Sequence, residues 1–125
     1  VDIRLNIQPI PASRPRVTRW GVFYSKRYTA FRKEAVGVVS GIESPPDTPL
    51  PFLKPLEVWA VFNVRRPKTS KLKYPSPDVD NYLKAALDIL NGVVWADDKL
   101  IIKLHGEKRW AKDEPSIELK VTEMD

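Results

Sequence analysis

The chain has 125 residues, 42% hydrophobic and 30% charged, which suits one folded domain spanning 1–125 with a modest core. It holds no cysteine and one histidine, His105, which excludes disulfides, thiolate zinc sites, a cysteine nucleophile and a His-rich metal site. No apolar run is long enough to cross a bilayer and no basic, apolar leader opens the chain, so a cytoplasmic, membrane-free setting is expected.

In chain order, Ile3, Leu5 and Ile7 alternate with polar residues and predict a half-buried strand. Residues 9 to 24 carry Pro9, Pro11, Pro15 and Gly21, an irregular excursion with a short hairpin around Trp20-Gly21. Ser25 is placed to cap a helix running to about Ser40, with Tyr28, Phe31, Ala35, Val38, Val39 and Ile42 as its apolar stripe. Five prolines between 43 and 55 predict a surface loop. Leu56, Val58, Ala60, Phe62 and Val64 mark a second strand, and Trp59 and Val61 on its other face make it central. After a basic loop over 65–77, Asp80 or Asn81 is expected to cap a second helix reaching about Asn91, with Gly92 ending it. Leu100, Ile102 and Leu104 mark a third strand and Ile117, Leu119 and Val121 a fourth. The order β-α-β-α-β-β predicts an α+β fold, a mixed four-stranded sheet with two helices packed on it.

Charge is unevenly spread over this plan. The net charge is +5, yet residues 1–75 hold 14 Lys and Arg against 5 Asp and Glu, and residues 76–125 hold 7 against 11. A basic half points to a polyanion partner. The acidic half beside it then requires a cation, because bare carboxylates repel phosphates. Asp78 and Asp80, two apart, would face the same way on extended backbone and could share a magnesium ion, which takes carboxylate oxygens. Lys84 lies one helical turn beyond Asp80. Further along, Asp97 or Asp98, neighbours pointing to opposite sides at a strand entry, supplies one more carboxylate. Carboxylates with a lysine and no histidine suit metal-assisted phosphodiester hydrolysis. The rival reading is that Asp78 and Asp80 only cap a helix and that Asp97-Asp98 is an ordinary acidic turn. Asp88, on the same side as Lys84, is read as that lysine's partner.

The stretch Asp78-Val-Asp80-Asn81-Tyr-Leu-Lys84-Ala-Ala-Leu-Asp88-Ile-Leu-Asn-Gly92, followed by Val-Trp95-Ala-Asp97-Asp98, resembles the RusA family of Holliday junction resolvases. So do the upstream run from Ser13 to Ser25, with Tyr28 and Phe31-Arg32 beyond it, and the closing Leu119-Lys-Val-Thr-Glu-Met. The resemblance implies a homodimeric, magnesium-dependent endonuclease, with manganese as a possible substitute, that cuts four-way junctions symmetrically. It further implies Asp78, Asp80 and Asp98 as metal ligands and Lys84 as the catalytic lysine. Asn81 and Asp97 are left as supporting or alternative ligands.

Arg14, Arg16, Arg19, Lys26 and Arg27 fall in the acid-free stretch 12–33, and Arg65, Arg66, Lys68, Lys71 and Lys73 in the acid-free stretch 65–77. These are the expected phosphate contacts. Trp20, Phe23 and Tyr24 among the arginines are read as packing the loop onto the sheet rather than as stacking on bases. The expected partner is branched DNA. A flap- or fork-cleaving nuclease and a branched-DNA-binding protein without chemistry are the alternatives.

Overall fold

A computed structural model describes residues 1–125. The alternating apolar residues of the first segment form β1 (Asp2–Leu5), with Ile3 and Leu5 buried. A separate two-stranded ribbon follows, β2 (Arg16–Thr18) paired antiparallel with β3 (Gly21–Phe23). Helix α1 (Lys26–Val39) starts at Ser25, whose Oγ accepts the Tyr28 N–H at 3.2 Å. Its stripe of Tyr28, Phe31, Ala35 and Val39 is buried, as its spacing predicts.

The remaining elements are β4 (Leu56–Val64), α2 (Val79–Leu90), β5 (Ile101–Trp110) and β6 (Ser116–Glu123). They complete a four-stranded sheet of order β1-β6-β4-β5, in which β4 and β5 are parallel and the other pairs antiparallel. The sheet is mixed, the class is α+β, and β4 is interior. Leu56, Val58, Ala60, Phe62 and Val64 all lie on its buried side, where about 1.5–3 kcal/mol per large apolar side chain accrues. The opposite sheet face carries no helix. Trp59 there is 50% exposed and stacks on His105, which meets Glu57 at 3.0 Å.

The parallel β4–β5 pair fixes where the chemistry can sit. Two parallel strands require a crossover, and α2 is that crossover. Its first turn therefore stands at the end where β4 and β5 finish, and its last turn at the end where β5 begins. Gly106 of β5 lets α2 approach the sheet: a Cβ there would come within 2.8 Å of Leu83 Cδ1 and 3.0 Å of Leu83 Cγ. Gly106→Ala is expected to lower unfolding stability by about 1 kcal/mol. Denaturant unfolding of Gly106→Ala alone and with Leu83→Ala checks this, because the added methyl should do no harm once Leu83 is trimmed.

Several sequence-based expectations change. The cap of α2 is Asp78, not Asp80 or Asn81, because the helix starts directly after it at Val79. Strand β5 begins at Ile101, after a short 3-10 helix (Asp98–Leu100), and as an edge strand it leaves Ile102 60% exposed rather than buried. The proline-rich loop is not wholly superficial. Phe52 is buried, its N–H donates to Val94 O at 2.8 Å, and its carbonyl accepts from the Ala96 N–H at 3.0 Å.

Asp88 does not pair with Lys84. Its Oδ2 accepts the Tyr28 hydroxyl at 2.5 Å, tying α2 to α1. Burial first, then the bond and charge of Asp88, push the Tyr28 phenol above its ordinary value of about 10. The contribution to stability is full below that value and is lost as pH climbs above it. No helix is long and apolar enough to cross a membrane.

Candidate active site and nucleic-acid interface

Asp78 occupies the N-cap position of α2 with extended backbone (φ −65°, ψ 142°), but its side chain makes no capping hydrogen bond. The backbone carbonyl of Asp78 takes the Asn81 N–H at 3.1 Å, so the helix starts without help from the carboxylate. Asp80 sits in the first turn and Lys84 one turn further; all three side chains are exposed and none forms an ion pair. The extended geometry expected for the aspartate pair thus holds for Asp78 alone, while Asp80 is helical. The positive end of the helix dipole favours negative charge at both positions. What capping chemistry leaves unexplained is why two carboxylates and a lysine stand here with all their hydrogen-bonding capacity unspent.

Asp97 and Asp98 lie at the opposite end of α2, in the turn before β5 and not on the strand. Asp97 Oδ1 accepts the Lys99 N–H at 2.9 Å and caps the 3-10 helix. Asp98 is held on both sides: its Oδ1 accepts the Trp95 indole N–H at 2.7 Å, and its own N–H donates to Asn91 Oδ1 at 3.0 Å. Trp95 is fully buried, so it is a rigid post that fixes one Asp98 oxygen and leaves the other open. Sequence reasoning did not find these two supports. The Trp-x-x-Asp spacing and the Asn at the helix end were the available signals, but neither has meaning until the turn closes.

Asp78, Asp80 and Lys84 all lie within the first turns of α2, although the same-face placement expected of an extended Asp78–Asp80 pair is lost once Asp80 is helical, and Asp98 lies at the other end of the helix. Asp98 is tied to Asn91, and the rise along α2 from Asp80 to Asn91 is about 17 Å. Accordingly, no three acidic or histidine side chains in the chain converge as a metal-binding group. Asp78 and Asp80 still fit magnesium, which commonly takes one or two protein carboxylates and completes its shell with water and substrate phosphate. An all-oxygen donor pair suits a hard cation better than zinc.

Both basic segments flank the first turn of α2. The Ala12 N–H donates to Asn81 O at 2.9 Å, rooting the segment 12–33 beside Asp80. Arg27 lies near enough to α2 to act on the Tyr82 phenol, which burial raises and the guanidinium opposes. On the other side, Lys108 Nζ donates to Pro77 O at 2.8 Å, and the Trp110 indole donates to Leu72 O at 2.9 Å. Together they pin the 65–77 loop to the end of β5. Arg14, Arg16, Arg19, Lys26, Arg27, Lys68, Lys71 and Lys73 are all free of ion pairs; Arg65 alone meets an acid, Glu114, at 3.7 Å and well exposed. The aromatics do not pack as expected. Trp20 and Phe23 are exposed on the ribbon, and Tyr24, also exposed, meets the core only through an edge-on contact with Tyr28, ring centroids 5.8 Å apart.

A family model described as "Endodeoxyribonuclease RusA" matches residues 6–122, nearly the whole chain. A stretch of 48 residues, 38% of the chain, is 38% identical to a Bacillus subtilis (strain 168) protein described as "Uncharacterized protein YqaN". The matched stretch covers 33% of that protein's length.

Proposed function

The chain belongs to the RusA endodeoxyribonuclease family, and from that premise we propose that it resolves four-way DNA junctions as a magnesium-dependent nuclease. It would hydrolyse one phosphodiester in each of two strands, acting in the cytoplasm. One observation carries the reading: Asp78 and Asp80 are uncapped and unpaired at the start of α2, between two acid-free basic segments. Phosphates drawn in by those segments arrive beside two carboxylates that are not committed to hydrogen bonds within the chain.

Asp78 and Asp80 would hold the ion, magnesium or manganese. When bound, the ion supplies positive charge to the phosphate and lowers the pKa of an attacking water. Lys84, exposed and unpaired one turn along the same helix, places its ammonium on the charge that develops on the phosphate or the leaving oxygen. Asn81, whose carbonyl accepts the Ala12 N–H, keeps the helix start in register with the basic segment. The products expected of this chemistry are a 5′-phosphate and a 3′-hydroxyl.

The chain acts as a homodimer in this reading, and the separation of Asp98 from Asp80 gives the dimer a chemical role. A third carboxylate, on Asp98 and held by the Trp95 indole, would serve the metal of a second copy rather than its own. Two copies also supply the two cuts that junction resolution requires.

Incubation with magnesium and a panel of four-way junction, fork, flap and linear duplex of one sequence tests the function. Paired nicks in the junction are expected; stronger cutting of the fork or flap would reassign the substrate, and no cutting of any would remove the chemistry. The basic segments have their own test. Alanine at Arg14, Arg16 and Arg19 together should weaken junction binding and lower the slope of log K against log salt by about 0.9 for each phosphate no longer neutralised. An unchanged slope would show that this segment touches no phosphate.

A further inference from the structure

The β2–β3 ribbon is anomalous for a small α+β domain. It stands apart from the four-stranded sheet, and an isolated two-stranded hairpin is marginal by itself in water. It nevertheless exposes apolar surface along its length: Val17 and Trp20 are each 77% exposed, and Val22, Phe23 and Tyr24 are also exposed. Its tip is preformed. The Trp20 N–H donates to Thr18 Oγ1 at 3.1 Å, the Thr18 hydroxyl donates to Gly21 O at 3.3 Å, and Gly21 takes a φ of +129° that side chains rarely adopt. The Arg19 guanidinium lies over the Trp20 ring, 4.8 Å from its centroid.

We propose that this ribbon is a branch-reading arm, on which Trp20 stacks against a nucleobase left unpaired or end-exposed where DNA strands diverge. The proposal rests on the branched-DNA reading above and names the contact through which the branch is sensed. Four features select DNA as the occupant. The surrounding segment 12–33 holds arginines and lysines and no acid, so it suits a polyanion and disfavours a second copy of the same arm. An indole with a guanidinium over one face pairs its other face, for stacking, with a phosphate-directed charge, the combination that binds unpaired bases without sequence choice. The arm is rooted at α2 through Ala12 and Asn81, one residue from Asp80, so DNA held on it lies within reach of the acidic pair. Finally, the Ser25 N–H donates to Ser13 Oγ at 3.3 Å, closing the base of the ribbon so that its two strands move as one.

The test uses the full chain with magnesium withheld, so that no strand is cut. A four-way junction with 2-aminopurine at the branch, and a linear duplex of the same sequence, are titrated with the parent, Trp20→Ala and Trp20→Phe. Trp20→Ala is expected to lose about fivefold or more in junction affinity, with duplex affinity unchanged. The 2-aminopurine signal that the parent induces should vanish in Trp20→Ala and persist in Trp20→Phe. Equal losses on junction and duplex, or a signal independent of Trp20, would overturn the arm's role. So would a Trp20→Ala protein that binds junctions normally but sediments as a smaller species, since the arm would then serve self-association. Parent protein that binds the junction no better than the duplex would instead bring down the branched-DNA reading itself, a result visible before any variant is compared.

Discussion

Asp80→Asn protein is expected to lose junction cleavage by more than about 100-fold while binding the junction as tightly as the parent, or more tightly. The change keeps the shape of the side chain and removes a metal-ligating charge that faces phosphates. Residues that only orient a ligand typically cost about 10- to 100-fold when replaced, so a ligand should exceed that range. Helix stability should barely move, because Asp80 makes no side-chain hydrogen bond or ion pair; only the small dipole contribution of a first-turn carboxylate, about 0.3–1 kcal/mol, is lost. The measurement is a single-turnover cleavage time course beside a binding titration in calcium, with thermal unfolding as the control. Loss of binding in step with loss of cutting, or a collapsed fold, would make Asp80 a structural residue and return the site to helix capping.

Asp98→Asn is expected to be as inactive as Asp80→Asn, yet a mixture of the two inactive proteins should recover nicking. The prediction follows from distance. Asp98 is fixed to Asn91, about 17 Å along α2 from Asp80, so one chain cannot bring both to one ion. If each ion takes Asp78 and Asp80 from one copy and Asp98 from the other, a mixed dimer contains one doubly damaged site and one intact site. With random pairing half the dimers are mixed, and they nick one strand of a junction without its symmetric partner. Asp97→Asn, whose carboxylate only caps the 3-10 helix, should keep measurable activity that rises with added metal. Failure of the mixture to regain any nicking, after subunit exchange is verified, would show that Asp98 acts within its own chain or not at all. Equal defects in the Asp97 and Asp98 variants would point to the turn as a unit.

Much of the architecture was legible in the residues. The period-two run from Leu56 to Val64 predicts a central strand and β4 is interior to the sheet, and the stripe Tyr28, Phe31, Ala35 and Val39 predicts a helix face. The Ser25 cap and the turn at Trp20-Gly21 are local chemistry, and both form as their residues predict. Spacing also placed Asp78, Asp80 and Lys84 around one helix start, because four residues along a chain settle a neighbourhood when the chain is helical.

What lay beyond the sequence were the relations between segments far apart in it. That β5 joins β4 in parallel decides that α2 is a crossover, and that decision alone carries Asp98 to the far end of the helix from Asp80. Tyr28 lies 60 residues from Asp88 and claims the carboxylate that local spacing assigned to Lys84; a buried phenol needs an acceptor more than an exposed ammonium needs a partner. Trp20, Phe23 and Tyr24 look in sequence like any loop aromatics that fold back onto a core. Whether they do depends on how much core surface remains uncovered, and α1 and α2 already cover the face that would have received them. Residue types and short spacings therefore determined the elements and the chemistry available to this protein. The tertiary structure decided which of those groups meet, because only the closed fold sets the distances over which charge and hydrogen bonds act.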